Sequence, residues 1–82
     1  MMLTAEQCRA ARGLLDWTQE DLAERAGLSR GTIRDFEKGR HDFHRSTLAQ
    51  ILSALELAGV LFIPADAAGP GVRLRHVPLA RE

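Results

Sequence analysis

The sequence predicts a mainly α fold, four helices followed by a C-terminal β-hairpin, and three observations carry that expectation. Up to Ala58, apolar residues recur three and four positions apart, the spacing that gathers them on one face of a helix. Each of these runs follows a residue suited to cap a helix N-terminus: Thr4, Thr18, Ser29 and Ser46. Beyond Gly59 the pattern changes to a short apolar run and then an alternating one, as strands require.

The first helix is expected from Ala5 to Leu14 or Leu15. Thr4 and Gln7 make a capping-box pair at its start, and Cys8, Ala11 and Leu15 form its buried stripe. Asp16 and Trp17 connect it to a second helix, Gln19 to Ala26, capped by Thr18, with Glu20 and Asp21 at its positive end. Ser29 caps a third helix, Arg30 to about Glu37, which Gly39 closes. A polar loop from Arg40 to Arg45, anchored by Phe43, leads to a fourth helix over Thr47 to Ala58 under a Ser46 cap. Leu48, Ile51, Leu52, Leu55 and Ala58 line its inner face. Val60 to Ile63 and Val72 to Val77 read as two strands joined by a loop rich in Ala, Gly and Pro. An isolated two-stranded hairpin is marginal in water, so this one has to pack on the helices or pair across a dimer. Pro78 to Glu82 reads as a frayed tail.

At 82 residues the chain is near the lower end of what one core stabilises unaided. Its aromatic residues are Trp17, Phe36, Phe43 and Phe62, so the core must be mostly Leu, Ile, Val and Ala. A core that small borrows stability readily from a second subunit, which makes a homodimer the expectation. No apolar run reaches the roughly 20 residues a membrane span needs, and the N-terminus has no signal-like apolar core. Cys8 is the single cysteine, so no internal disulfide forms, and a cytoplasmic setting fits. Formal net charge is zero, yet the charges are unevenly placed. Residues 1–28 hold three arginines against five acids, and residues 29–45 hold five basic residues against three acids. Positive charge is therefore concentrated on the third helix and the loop behind it, where a polyanion would lie.

The stretch from Gln19 to Lys38 carries the functional signal. Leu22 and Ala26 lie one turn apart, Ile33 and Phe36 three apart, and small Ala23 lets two helices cross closely. Gly27 stands where the chain leaves the second helix, and Ser29 restarts it. This is the recipe of a helix-turn-helix, the unit that lays its second helix in the DNA major groove. The same pattern also builds plain α-hairpins that bind no nucleic acid.

Arg12, Gln19, Leu22, Ala23, Ala26, Gly27, Ser29, Ile33 and the Glu37-Lys38-Gly39 end of the third helix resemble phage-repressor-like regulators of the Cro/CI or XRE helix-turn-helix type. The resemblance covers about residues 4 to 59. It implies a lambda-repressor-like helix-turn-helix bundle, with residues 1–59 as the DNA-binding domain and 60–82 as a dimerisation extension and tail. Five helices are usual in that family; here strands replace the fifth, which moves the expected dimer contact to Leu61, Ile63, Val72 and Leu74 or to a shared sheet.

Position by position, the resemblance gives Arg30, Gly31, Arg34 and Asp35 as the base-reading set. Arg30 suits the O6 and N7 of a guanine, Arg34 a second base or a phosphate, and Asp35 a cytosine amino group or the orienting of an Arg, while Gly31 stands where a polar residue is usual. Gln19, Ser29, Thr32, Lys38, Arg40 and Arg45 are the phosphate-binding set. Arg12 and Glu37 correspond to an ion pair linking the first and third helices. His41 and His44, three apart, make a weak metal site without a third ligand, so no metal and no cofactor are expected, and no catalytic constellation is present. The expectation is a cytoplasmic bacterial transcription regulator, a repressor binding double-stranded DNA as a homodimer on a palindromic operator. The rival is a protein-interaction module, such as the antitoxin of a toxin–antitoxin pair, with a toxin or other protein as partner.

Overall fold

The computed structural model describes residues 3–40, 43–66 and 68–75. Four helices, α1 (Ala5–Leu15), α2 (Gln19–Ala26), α3 (Arg30–Glu37) and α4 (Arg45–Leu57), precede two strands, β1 (Val60–Ile63) and β2 (Gly71–Leu74). His41, the strand end at Val77 and the tail from Pro78 lie outside the described residues.

Local chemistry sets most of these boundaries. At α1, Thr4 Oγ1 accepts from the Gln7 N–H at 3.0 Å, and Gln7 Oε1 accepts from the Thr4 N–H at 3.1 Å, closing the capping box. Thr18 and Asp21 repeat it at α2, with Asp21 in the place more often held by Glu or Gln. α1 ends on Asp16, whose φ of 58° turns the chain left-handed so that its N–H returns to the last turn. α2 ends the same way on Gly27 at φ 71°, where a side chain would be strained. Gln50 of α4 then donates to the Ala26 carbonyl at 3.1 Å, satisfying an acceptor left over at that end.

α4 departs from the expected limits at its start. Ser46 is not the cap: the helix begins one residue before it, because the backbone carbonyl of His44 accepts from Thr47 at 3.0 Å and Leu48 at 3.2 Å. The N-cap is therefore His44, with no side-chain bond. The second strand likewise starts at Gly71 rather than Val72, paired with Ile63 in an antiparallel register.

The core is continuous across helices and hairpin. Cys8, Leu22, Ile33, Ile51, Leu55 and Val60 are fully buried, and Ala11, Ala23, Ala26, Phe36, Ala54 and Phe62 join them. Phe43 stacks edge-on against Phe36, ring centres 5.8 Å apart, and so anchors the loop before α4. Arg25 lies over the Trp17 ring at 4.5 Å, covering the junction of α1 and α2. The hairpin is held to α1 by Gln7, whose amide nitrogen donates to the carbonyls of Ile63 and Gly71 at 3.2 and 3.1 Å. Gln7 is itself buried, and these bonds satisfy its polar end.

Candidate nucleic-acid interface

α3 has two faces of opposite character. Ile33, Phe36 and Glu37 are buried and seat the helix against α1 and α2. Arg30, Arg34 and Lys38, spaced by four, are exposed on the other side. Arg40, beyond the helix, and Arg45, at the start of α4, are exposed as well. Asp35 is half-buried, and its Oδ1 lies 3.6 Å from Arg34 Nε. An ion pair that loose and that exposed stabilises little, at most about 1 kcal/mol.

The N-terminal turn of α3 is lined with hydroxyls. Ser29 Oγ accepts from the Thr32 N–H at 3.1 Å and lies 2.9 Å from Thr32 Oγ1. With no acid in this first turn, the positive end of the helix is left uncompensated on the side that carries Arg30. Such an end favours an anion.

One carboxylate fixes the placement of this face. Glu37 accepts from Arg12 through Nε and Nη2, both at 2.7 Å, from Gln19 Nε2 at 3.1 Å and from the Cys8 thiol at 3.1 Å. These four bonds match the acceptor capacity of a carboxylate, and they come from both helices packed against α3. The backbone carbonyl of Glu37 also accepts from Arg9. Arg12 reaches further and donates to the Trp17 carbonyl at 3.0 Å, holding the α1–α2 connection. Burial pushes the Glu37 carboxyl up, but the bonds from Arg12, Gln19 and Cys8 outweigh it and hold it below the ordinary value. The Cys8 thiol is pushed strongly up, by burial first and by Glu37 second. It stays protonated and acts as a donor in the core rather than as a nucleophile.

A family model described as helix-turn-helix matches residues 9–61, from the first half of α1 into β1. The chain belongs to the XRE-type, Cro/CI-like helix-turn-helix family. No curated protein matches it. The family binds DNA, and this XRE-type chain is a DNA-binding regulator built as a mainly α helix-turn-helix bundle with a C-terminal hairpin. No helix among the described residues is long and apolar enough to cross a membrane. No group of three or more His, Cys, Asp or Glu among them is placed to hold a metal ion.

The hairpin of this XRE-type protein divides Leu61, Ile63, Val72 and Leu74 between two faces. Val60 pairs with Leu74 and Phe62 with Val72, so Val72 and Leu74 share the inward face and pack on the core. Leu61, opposite Arg73, and Ile63, opposite Gly71, lie on the other face. Leu61 is exposed and Ile63 half-buried.

Three features escape the apolar periodicity. Gln7 was legible only as a cap, yet it lies four before Ala11 and eight before Leu15, on the buried stripe itself. Leu57 is 85% exposed at the end of α4, off the stripe made by Ile51 and Leu55. Gln19, expected at phosphate, spends one amide hydrogen on Glu37. The nitrogen's second hydrogen leaves it one further donor.

Proposed function

We propose that this protein is a cytoplasmic repressor that binds a short palindromic operator as a homodimer, with α3 in the major groove. The observation that carries the reading is the division of α3 into a buried face of Ile33, Phe36 and Glu37 and an exposed row of Arg30, Arg34 and Lys38. Arg30 at the helix start reads a guanine, and Arg34, Asp35 and the open position at Gly31 complete the base-reading set. Ser29 and Thr32 hydroxyls, the second Gln19 amide hydrogen, Lys38, Arg40 and Arg45 hold phosphates. Arg12 works indirectly, by setting the angle of α3 through Glu37.

Dimerisation through the outer face of the hairpin uses Leu61 and Ile63, and it sets two α3 helices about 34 Å apart on successive turns of DNA. Among the described residues, Leu57 is a further exposed large apolar side chain available to a second copy. Leu61→Ser is expected to weaken self-association in sedimentation equilibrium while changing stability by less than about 0.5 kcal/mol, as surface replacements do. An unchanged dimer removes Leu61 from the contact.

Selection of bound sequences from a random duplex pool, followed by titration against salt, tests the reading as a whole. A palindrome with a falling log–log salt dependence supports it. No enriched sequence and no salt-sensitive binding would favour the rival, an interaction module such as an antitoxin, and turn the search to a protein partner. Arg30→Ala is expected to cost about 1–3 kcal/mol of operator affinity and to relax preference at one base pair. A binding profile across operator variants identical to the wild type would exclude Arg30 as a base reader.

A further inference from the structure

A side chain on a helix leans toward the N-terminus, so a long residue covers the surface one turn before its own Cα. Arg34 does this over Gly31. A methyl group placed on Gly31 would sit 3.6 Å from Arg34 Nη2 and 3.8 Å from Ser29 Oγ. The Arg34 guanidinium therefore occupies ground beside Gly31 that a side chain there would need. Its Nε stays 3.6 Å from Asp35 Oδ1, too far for a hydrogen bond to pull it away along the helix. Half of the Arg34 side chain remains exposed, so the guanidinium stays available to a ligand.

We propose that Arg34, folded back over Gly31, reads the base pair that a side chain at position 31 would otherwise face, and that Gly31 is a specificity residue because it leaves that space to the Arg34 guanidinium. The inference rests on the reading of α3 as the groove-bound helix. Arg30 and Arg34 then present two guanidinium groups within the first turn, each able to bond O6 and N7 of a guanine. Asp35 faces the Arg34 Nε at 3.6 Å and makes no hydrogen bond to the guanidinium. Contact at 3.6 Å is ordinary van der Waals spacing, so alanine at position 31 fits beside Arg34. A longer polar chain does not, because it needs the volume the guanidinium fills.

The test compares the wild type with Gly31→Gln, Arg34→Ala and the Gly31→Gln/Arg34→Ala double variant. Each is put through selection from a random duplex pool and titrated on the wild-type operator. Circular dichroism of each variant checks the fold, and Gln at position 31 should keep the helix, having higher helix propensity than Gly. Arg34→Ala should lose preference at one base pair by tenfold or more, within the range a bidentate contact supplies. Gly31→Gln should change preference at that same base pair, and the double variant should lose no more than Arg34→Ala alone. Gly31→Gln and Arg34→Ala acting at different base pairs, or multiplying as independent losses, overturns the assignment. So does an Arg34→Ala loss spread evenly over all sequences, which would make Arg34 a phosphate clamp. A wild-type protein that enriches no sequence overturns the DNA reading along with it, whereas enrichment by the wild type with unlinked effects at 31 and 34 overturns this inference alone.

Discussion

Arg12→Ala should destabilise the protein by about 3–5 kcal/mol, the cost of leaving one partner of a buried ion pair alone. Two of its three guanidinium bonds end on Glu37, whose side chain is 3% exposed, and the third ends on the Trp17 carbonyl. Gln19 and the Cys8 thiol remain, but neither carries charge. A domain of 82 residues has a total stability of roughly 4–12 kcal/mol, so this one change removes a large share. The urea midpoint measures it; a loss below about 1 kcal/mol would mean that water or a rotated Glu37 compensates. The same pair gives an acid limb. Glu37 titrates lower folded than unfolded, so its contribution is complete above the unfolded carboxylate value of about 4.3. It disappears as pH falls through the lower folded value. Urea midpoints measured from pH 7 to pH 3 should fall more steeply for the wild type than for Glu37→Gln, and equal slopes would show that Glu37 does not contribute to the acid transition.

Truncation after Gly59 should unfold most of the molecule rather than only remove an interface. Val60 is 1% exposed and Phe62 8%, both inside the core shared with α1 and α4. Burying each stabilises by about 1.5–3 kcal/mol, so their joint removal approaches the stability of a domain this small. The cut also strips Gln7 of both hairpin acceptors and uncovers the part of α4 that β1 packs on. A truncated chain of residues 1–59 should therefore lose cooperative thermal unfolding by circular dichroism. A sharp transition within a few degrees of the full chain would mean that the helices stand alone and that the hairpin is an appendage. With the hairpin part of the core, truncation is a poor probe of dimerisation, and Leu61→Ser is the better one.

Much of this molecule is local, and local features are what a sequence displays. The limits of α1, α2 and α3 follow from Thr4, Thr18 and Ser29, whose side chains act on N–H groups three residues away. Gly27 ends α2 for a reason internal to its own backbone. The basic row of Arg30, Arg34 and Lys38 follows from a spacing of four, once Ile33 and Phe36 declare which side is buried. The start of α4 is not legible in residue type because its N-cap, His44, makes no side-chain bond.

The rest depends on which segments meet. The sequence alone determined four helices, a turn chemistry and a charged face, and with them the family. Tertiary structure decided that Gln7 ties the hairpin to α1, that Glu37 gathers Arg12, Gln19 and Cys8, and that Val72 and Leu74 turn inward while Leu61 turns out. Each of these joins groups far apart along the chain, and a strand's alternation says that its faces differ without saying which one finds the core. The physical reason is that a polar group's partner is fixed by packing, and packing is settled only when all the helices are in place.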